Sequence, residues 1–288
     1  MSLSWRDRVS AFVGPQLVRV RRHSGGWRRT GEGVTVEVDG MPTDGSAEQP
    51  DRMSAEAAGT ALQEALQETL QKQMPSGTHR HSCCHIVLSN QYLRYAIVEQ
   101  ASALRSAPER AAAALQTMRS IYGDAAHEWE IVMDDGTVQT ALVAGISRHL
   151  MQSLQTAASA VGCASVRIEP LFTCALNGSL RQIGKDASAF VVLEPGCVVF
   201  AMVDDHGLAS VRKQRLDDHA TIDAAVEVAA LAQRTHLLVG APAGRSTVVL
   251  ASEQAMSLAF PPEAGLQLRQ IPLPWTLRNL PTLPGGAN

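Results

Sequence analysis

Five residues able to bind metal or act as nucleophile and base fall close together: His79, His81, Cys83, Cys84 and His85. Imidazole nitrogen and thiolate sulfur suit zinc, and a thiolate beside an imidazole is the pairing that covalent catalysis uses. Their spacing argues against both uses. His85 leads an apolar run that reads as a strand, where neighbours point to opposite faces, so Cys83 and Cys84 do not both face one ion. No second paired cluster follows downstream, as a zinc ribbon requires. These residues therefore read as buried or loop positions, with no metal expected. Asp204-Asp205 and Asp217-Asp218 are adjacent carboxylates. The first pair falls in a hairpin turn and the second at a helix start, where Asp is favoured by local backbone amides and the helix dipole. A two-metal nuclease needs several carboxylates converging at strand ends, and the run Leu17 to Arg21 has none. No catalytic residue is assigned.

The elements that carry these residues belong to a chain of 288 residues, 45% hydrophobic and 18% charged, enough to bury a sizeable core. Aromatics are 4%, so the core must be built from aliphatic side chains and the helices are alanine-rich. A net charge of −3 excludes nucleic acid as an expected partner. Arg19, Arg21, Arg22, Arg28 and Arg29 read as the solvated side of an early strand and turn. Met1 to Gly14 shows no continuous apolar stretch of the kind a signal peptide has. The most apolar window, Ala189 to Val203, is interrupted by Glu194, Pro195 and Gly196 and is shorter than the ~18 residues of a membrane span. Five cysteines in no disulfide-framework spacing fit a reducing compartment. The chain is expected to be soluble and cytoplasmic.

Leu17 to Arg21 and Gly33 to Asp39 alternate as strands. Ser54 caps a helix with Ala58, Leu62, Leu66, Leu70 and Met74 on one face, stopped by Pro75 to Gly77. His85 to Ser89 and Arg94 to Glu99 read as a strand pair joined at Asn90-Gln91. Ser106 and Pro108 open a helix that turns Ala111, Leu115, Met118 and Tyr122 inward and ends at Gly123. Strands Glu130 to Met133 and Thr140 to Ile146 flank Asp134-Asp135-Gly136. A helix from Ser147 to Val161 stops at Gly162, strand Ser165 to Ile168 follows, and Pro170 starts a short helix ending at Asn177-Gly178. The pattern then begins again: strands Phe190 to Leu193, Val198 to Val203 and Leu208 to Gln214, a helix from Asp218 to Arg234 with Ile222, Val226, Ala229 and Ala230 inward, and strands His236 to Val239 and Thr247 to Ala251. A short helix capped by Ser252 and a strand Leu266 to Ile271 close it. Meander, helix, strand, helix, strand occurs twice, with extra elements inserted in the first copy. That is an α/β class with helices on a mixed sheet.

A meander leading into a helix, used twice, resembles the actin-like ATPase superfamily, with its duplicated ribonuclease H-like mixed sheets in two lobes. His85-Ile86-Val87-Leu88-Ser89-Asn90 followed by Arg94-Tyr95-Ala96 looks like the cytoplasmic part of GspL-type proteins of type II secretion. Val143 to Leu154 and its helix, then Ser165-Val166-Arg167-Ile168-Glu169-Pro170-Leu171, look like the PilM segment of type IV pilus systems, in which a helix leads to an Ile-Glu-Pro strand end. The resemblance spans most of residues 10 to 272. It implies lobes at 1–180 and 181–273, with an extended Pro-rich tail at 274–288. It also implies a scaffold peripheral to the inner membrane that binds an assembly-platform membrane protein.

Actin-like ATPases set a hairpin against each phosphate, where the amides of a tight glycine turn approach the anion, and an Asp at the strand end holds the metal. The matching turns here are Ala11-Phe12-Val13-Gly14-Pro15 and Leu193-Glu194-Pro195-Gly196-Cys197-Val198. Each loses an amide to proline. The first has no carboxylate, and the second offers Glu194 with Cys197 and Val198 where small hydroxyl residues would serve. The adenosine loop falls at Val239-Gly240-Ala241-Pro242-Ala243-Gly244. Gly14, Glu194, Gly196, Gly240 and Gly244 are thus read as vestiges of a nucleotide site in a pseudo-ATPase without cofactor, the alternative being a working ATPase with ATP and Mg. In the tail, Ile271-Pro272-Leu273-Pro274-Trp275-Thr276-Leu277-Arg278 resembles the short Leu-Pro-Trp-Arg segment by which PilM's partner docks, which would give Trp275 and Arg278 a partner-binding role.

Overall fold

The structure, a computed structural model, describes residues 8–23, 34–37, 50–73, 82–134, 139–183, 187–205, 207–216, 228, 230–232, 234–235, 247–252 and 266–273. Its elements begin with β1 (Arg8–Val13), β2 (Leu17–His23), β3 (Val34–Glu37), α1 (Pro50–Gln73), β4 (Ser82–Leu88) and β5 (Leu93–Val98). There follow α2 (Ala107–Tyr122), β6 (Trp129–Met133), β7 (Ala141–Ser147), α3 (Arg148–Ala160), β8 (Cys163–Pro170) and α4 (Leu171–Ser179). The last are β9 (Ala187–Glu194), β10 (Cys197–Asp204), β11 (Gly207–Arg215), β12 (Thr247–Ser252) and β13 (Gln267–Pro272).

Two sheets share one plan. Their strand orders are β3-β2-β1-β4-β8 and β11-β10-β9-β12-β13. In each, the first meander strand lies at the centre, antiparallel to the second and parallel to the strand that follows the meander. A further parallel strand closes each sheet at its other side. The inserted elements form a third sheet, β5-β7-β6.

By contacts the chain forms two units, Met1–Tyr92 with Ile146–Leu171, and Leu93–Gly145 with Phe172–Asn288. This differs from the 1–180 and 181–273 division, because the inserted segment packs within the unit of the second sheet.

In the first unit, α1 buries Ala58, Leu62, Leu66 and Leu70, the face its four-residue spacing predicts, and α3 buries Leu150, Leu154, Ala157 and Ala158. Each buried Leu stabilises by roughly 1.5–3 kcal/mol. Gly59 lets the two helices approach, since a Cβ there would lie 3.1 Å from Ser153 Cβ. One face of the first sheet carries Val9, Ala11, Val13, Cys84, Ile86 and Leu88, all buried. Alternation puts Ser10, His85 and Arg167 in register on the other face.

In the second unit, β9 is buried along its whole length and β10 over its first six residues, as expected of near-continuous apolar runs covered on both faces. Val228, Leu231 and Ala232, which are helical, cover one of those faces. On the third sheet α2 buries Ala114 and Met118 against Ala96, Val98 and Val143.

Several expectations are corrected. Arg8–Val13 is the central strand of the first sheet, although its six residues mix polar and apolar types too briefly to declare a period. β4 and β5 belong to different sheets and do not pair, because a 3-10 turn at Asn90–Tyr92 redirects the chain between them. α1 starts at Pro50, ahead of Ser54. In α2 Met118 and Tyr122 pack into the core as expected, but Ala114 is buried there in place of Ala111, which is exposed. Its start is as read: Ser106 and Glu109 form a reciprocal capping box. The stops at Gly123 and Gly162 have φ +69° and +84°, where glycine is favoured. Asp135 and Gly136, Ile222, Val226 and Ala229, His236 to Val239 and the helix after Ser252 lie outside the described residues.

Candidate functional site

The two turns singled out by sequence occupy the same place in the two sheets, each joining the central strand to its antiparallel neighbour. In the first, the Gly14 amide donates to Leu17 O at 2.9 Å, so the hairpin closes on itself. Pro15 has no amide to give. Space is tight here, since a Cβ at Gly14 would stand 3.0 Å from the Phe12 ring and the ring would have to give by a few tenths of an ångström.

In the second, Glu194 and Cys197 are paired partners across a two-residue turn of Pro195 and Gly196. Gly196 has φ +69°, so proline followed by a left-handed glycine makes a type II arrangement. The Gly196 carbonyl accepts from the Leu216 amide at 3.0 Å. Both glycines thus have local structural duties, and both turns have proline in second position.

Glu194 is only 3% exposed. Register places it with Cys197 and Lys213 on one face of the second sheet, and Tyr95 lies within electrostatic reach of both Glu194 and Cys197. Burial, then the Glu194 charge, holds the Tyr95 phenol well above its ordinary range, and the same two causes raise the Cys197 thiol. Lys213 donates to Leu93 O at 2.7 Å. Burial, then repulsion from Arg94, lowers its amine to about 8, against the attraction of Glu194. The carboxylate at the strand end is therefore set in a buried group with an ammonium in its field. Sequence reading singled out Glu194 but missed Lys213, Arg94 and Tyr95; an isolated lysine in a polar strand carries no signal of burial.

The Cys/His stretch divides as the strand period demands. Cys84 is fully buried on the apolar face, and its hydrogen bond with Cys163, reinforced by burial, pushes its thiol well up, away from nucleophilic thiolate. His85 faces the other way. Its Nε2 lies 3.0 Å from Glu169 Oε2, which also receives the Arg167 guanidinium at 3.2 Å. The His-Ile-Val-Leu-Ser-Asn and Ile-Glu-Pro segments, distant in sequence, thus meet through one ion pair. At the end of β4, Ser89 and Asn90 are fully buried, and Ser89 Oγ accepts the Gln91 amide at 3.1 Å.

Among the described residues no group of three His, Cys, Asp or Glu is placed to hold a metal. His79, His81, Asp217, Asp218, Gly240, Gly244, Trp275 and Arg278 lie outside the described residues.

No protein-family model and no curated protein sequence matches the chain. Solved structures do. The cytoplasmic domain of EpsL, an inner membrane component of the type II secretion system of Vibrio cholerae, is similar with TM-score 0.56 at 10% identity, over 94% of this chain and 92% of that one. A PilM-PilN type IV pilus biogenesis complex gives TM-score 0.59 at 14% identity, over 92% and 88%. A Bacteroides thetaiotaomicron protein of actin-like ATPase fold and unknown function gives 0.54 at 8%, over 88% and 84%. The chain has the actin-like fold, and EpsL and PilM-PilN are among its structural neighbours.

Proposed function

We propose that the chain is a scaffold of an inner-membrane pilus or secretion assembly platform, bound at the cytoplasmic face to a membrane partner, and that it does not turn over ATP. The observation that carries the second half is the state of the two turns. The Gly14 amide is spent on Leu17, proline removes a donor from each turn, and Glu194 is buried in the field of Lys213. Phosphate binding by backbone amides needs donors aimed outward.

The first half is supported by similarity along nearly the whole chain to the EpsL cytoplasmic domain and to the PilM-PilN complex. Among the described residues no helix is long and apolar enough to cross a membrane.

Calorimetric titration with magnesium ATP is the direct test, with no saturable heat expected. Saturable binding together with phosphate release would replace this reading with that of a working actin-like ATPase. Co-purification from detergent-solubilised membranes should return a pilus or secretion platform component.

A further inference from the structure

Two of the five cysteines meet inside the first unit. Cys84 of β4 is fully buried, and Cys163, the first residue of β8, is 8% exposed. The two strands are parallel neighbours, and their register explains the meeting. Cys84 pairs with Val166 and Cys83 with Ser165, so a regular ladder would set Ala164 opposite position 82. The register shifts there, and Cys163 takes that place instead. Positions two apart share a face of a strand, as do paired positions of neighbouring strands. Cys163 and Cys84 therefore emerge on one face, the irregularity having re-aimed Cys163 toward it, while Cys83 belongs to the other.

The contact has a chemical polarity. The Cys84 thiol donates a hydrogen bond to the Cys163 sulfur, which holds the Cys163 thiol below its ordinary range against the opposing effect of burial. The more accessible sulfur is thus the one biased toward thiolate, the form that peroxides oxidise. A second thiol, shielded from solvent, lies against it.

A disulfide needs its Cα atoms within about 7 Å, whereas diagonal neighbours across a sheet stand about 7–8 Å apart. Closing the bond requires a small inward shift of Cys163. The irregular register gives β8 slack at that point, and β8 ends its sheet among the described strands. Gly162, immediately before Cys163, has φ +84° and can absorb a backbone rotation.

We propose that Cys163 and Cys84 form a peroxide-responsive pair that closes to a disulfide on oxidation. In the first step the Cys163 thiolate attacks hydrogen peroxide, the O–O bond breaks, and a sulfenic acid and hydroxide result. In the second the Cys84 sulfur displaces the hydroxyl from Cys163, and the hydroxyl leaves with the Cys84 proton as water. Two thiols are oxidised to one disulfide while the peroxide is reduced to water, and a dithiol reverses the change. Such a bond is transient, in keeping with a reducing compartment. The proposal goes beyond the scaffold reading and does not depend on it, because it concerns sulfur chemistry within one sheet.

The test uses the intact chain carrying Cys83→Ser, which leaves a single thiol in that segment of β4. It is treated with excess hydrogen peroxide, unfolded with iodoacetamide to cap the remaining thiols, digested and mapped by mass spectrometry. The expected product is a cross-linked pair of peptides holding Cys84 and Cys163, absent when dithiothreitol precedes the capping. With Cys84→Ser added, dimedone should trap Cys163 as its sulfenic acid; with Cys163→Ser added, Cys84 should stay reduced. Capping of both thiols after peroxide, a cross-link from Cys84 to another cysteine, or oxidation of Cys84 in the C163S chain would each overturn the proposal.

Discussion

At the scale of single residues, Lys213 is the group whose environment most departs from its type. Its amine titrates near 8 instead of 10.5, lowered first by burial and then by Arg94. Between those values the unfolded chain keeps a proton that the folded chain has released, so this residue's contribution to stability rises with pH across the window. Cys197 and Tyr95, raised by burial and by Glu194, act with the opposite sign as pH climbs through their ordinary values. The comparison with Lys213→Met isolates the lysine. Wild-type stability minus that of K213M, from urea unfolding at a series of pH values, should climb from pH ~8 to ~10.5 by no more than about 1.4 kcal/mol per unit. A flat difference would mean that Lys213 is solvated and that the buried group around Glu194 is not formed.

At the scale of elements, the third sheet shows how a small residue sets the approach of a helix. Gly145 of β7 is buried under α2, and a Cβ there would come within 2.6 Å of Met118 Cε and 2.9 Å of Trp129 Cε3. The methionine end can move. The indole is held edge-on against Tyr122 with centroids 5.3 Å apart, and Tyr122 in turn donates its hydroxyl to Tyr95 O at 2.9 Å. Gly145→Ala is expected to destabilise by about 1–3 kcal/mol through overpacking, read as a lowered urea midpoint at unchanged slope. An unchanged midpoint would show that the aromatic pair yields freely.

For the whole molecule, the division into units has a consequence for dissection. The chain passes between units at Tyr92–Leu93, Gly145–Ile146 and Leu171–Phe172, so neither unit is a continuous stretch. A fragment of residues 1–180 holds β5, β6, β7 and α2 but lacks the second sheet with which they share a unit. It should bind a dye specific for exposed apolar surface and melt without a cooperative transition, and the intact chain is expected to do neither. Cooperative melting of that fragment would return the boundary to residue 180.

What the sequence determined by itself is what depends on neighbours a few residues away. The stripe Ala58, Leu62, Leu66, Leu70 fixes the inward face of α1, Ser106 with Pro108 fixes the start of α2, and the apolar runs of β9 and β10 announce strands. Opposite orientation of Cys84 and His85 also followed from the strand period, and the second meander was legible as three strands, whereas the actin-like plan came from resemblance. Only the tertiary structure decided which distant groups meet. His85 finds Glu169 across 84 positions and Lys213 reaches Leu93 O across 120. The central place of Arg8–Val13, the separation of β4 from β5 and the burial of Glu194 arise in the same way. The physical reason is that local propensity selects each element's conformation, whereas sheet order and the burial of a charge depend on long-range packing between residues of ordinary type.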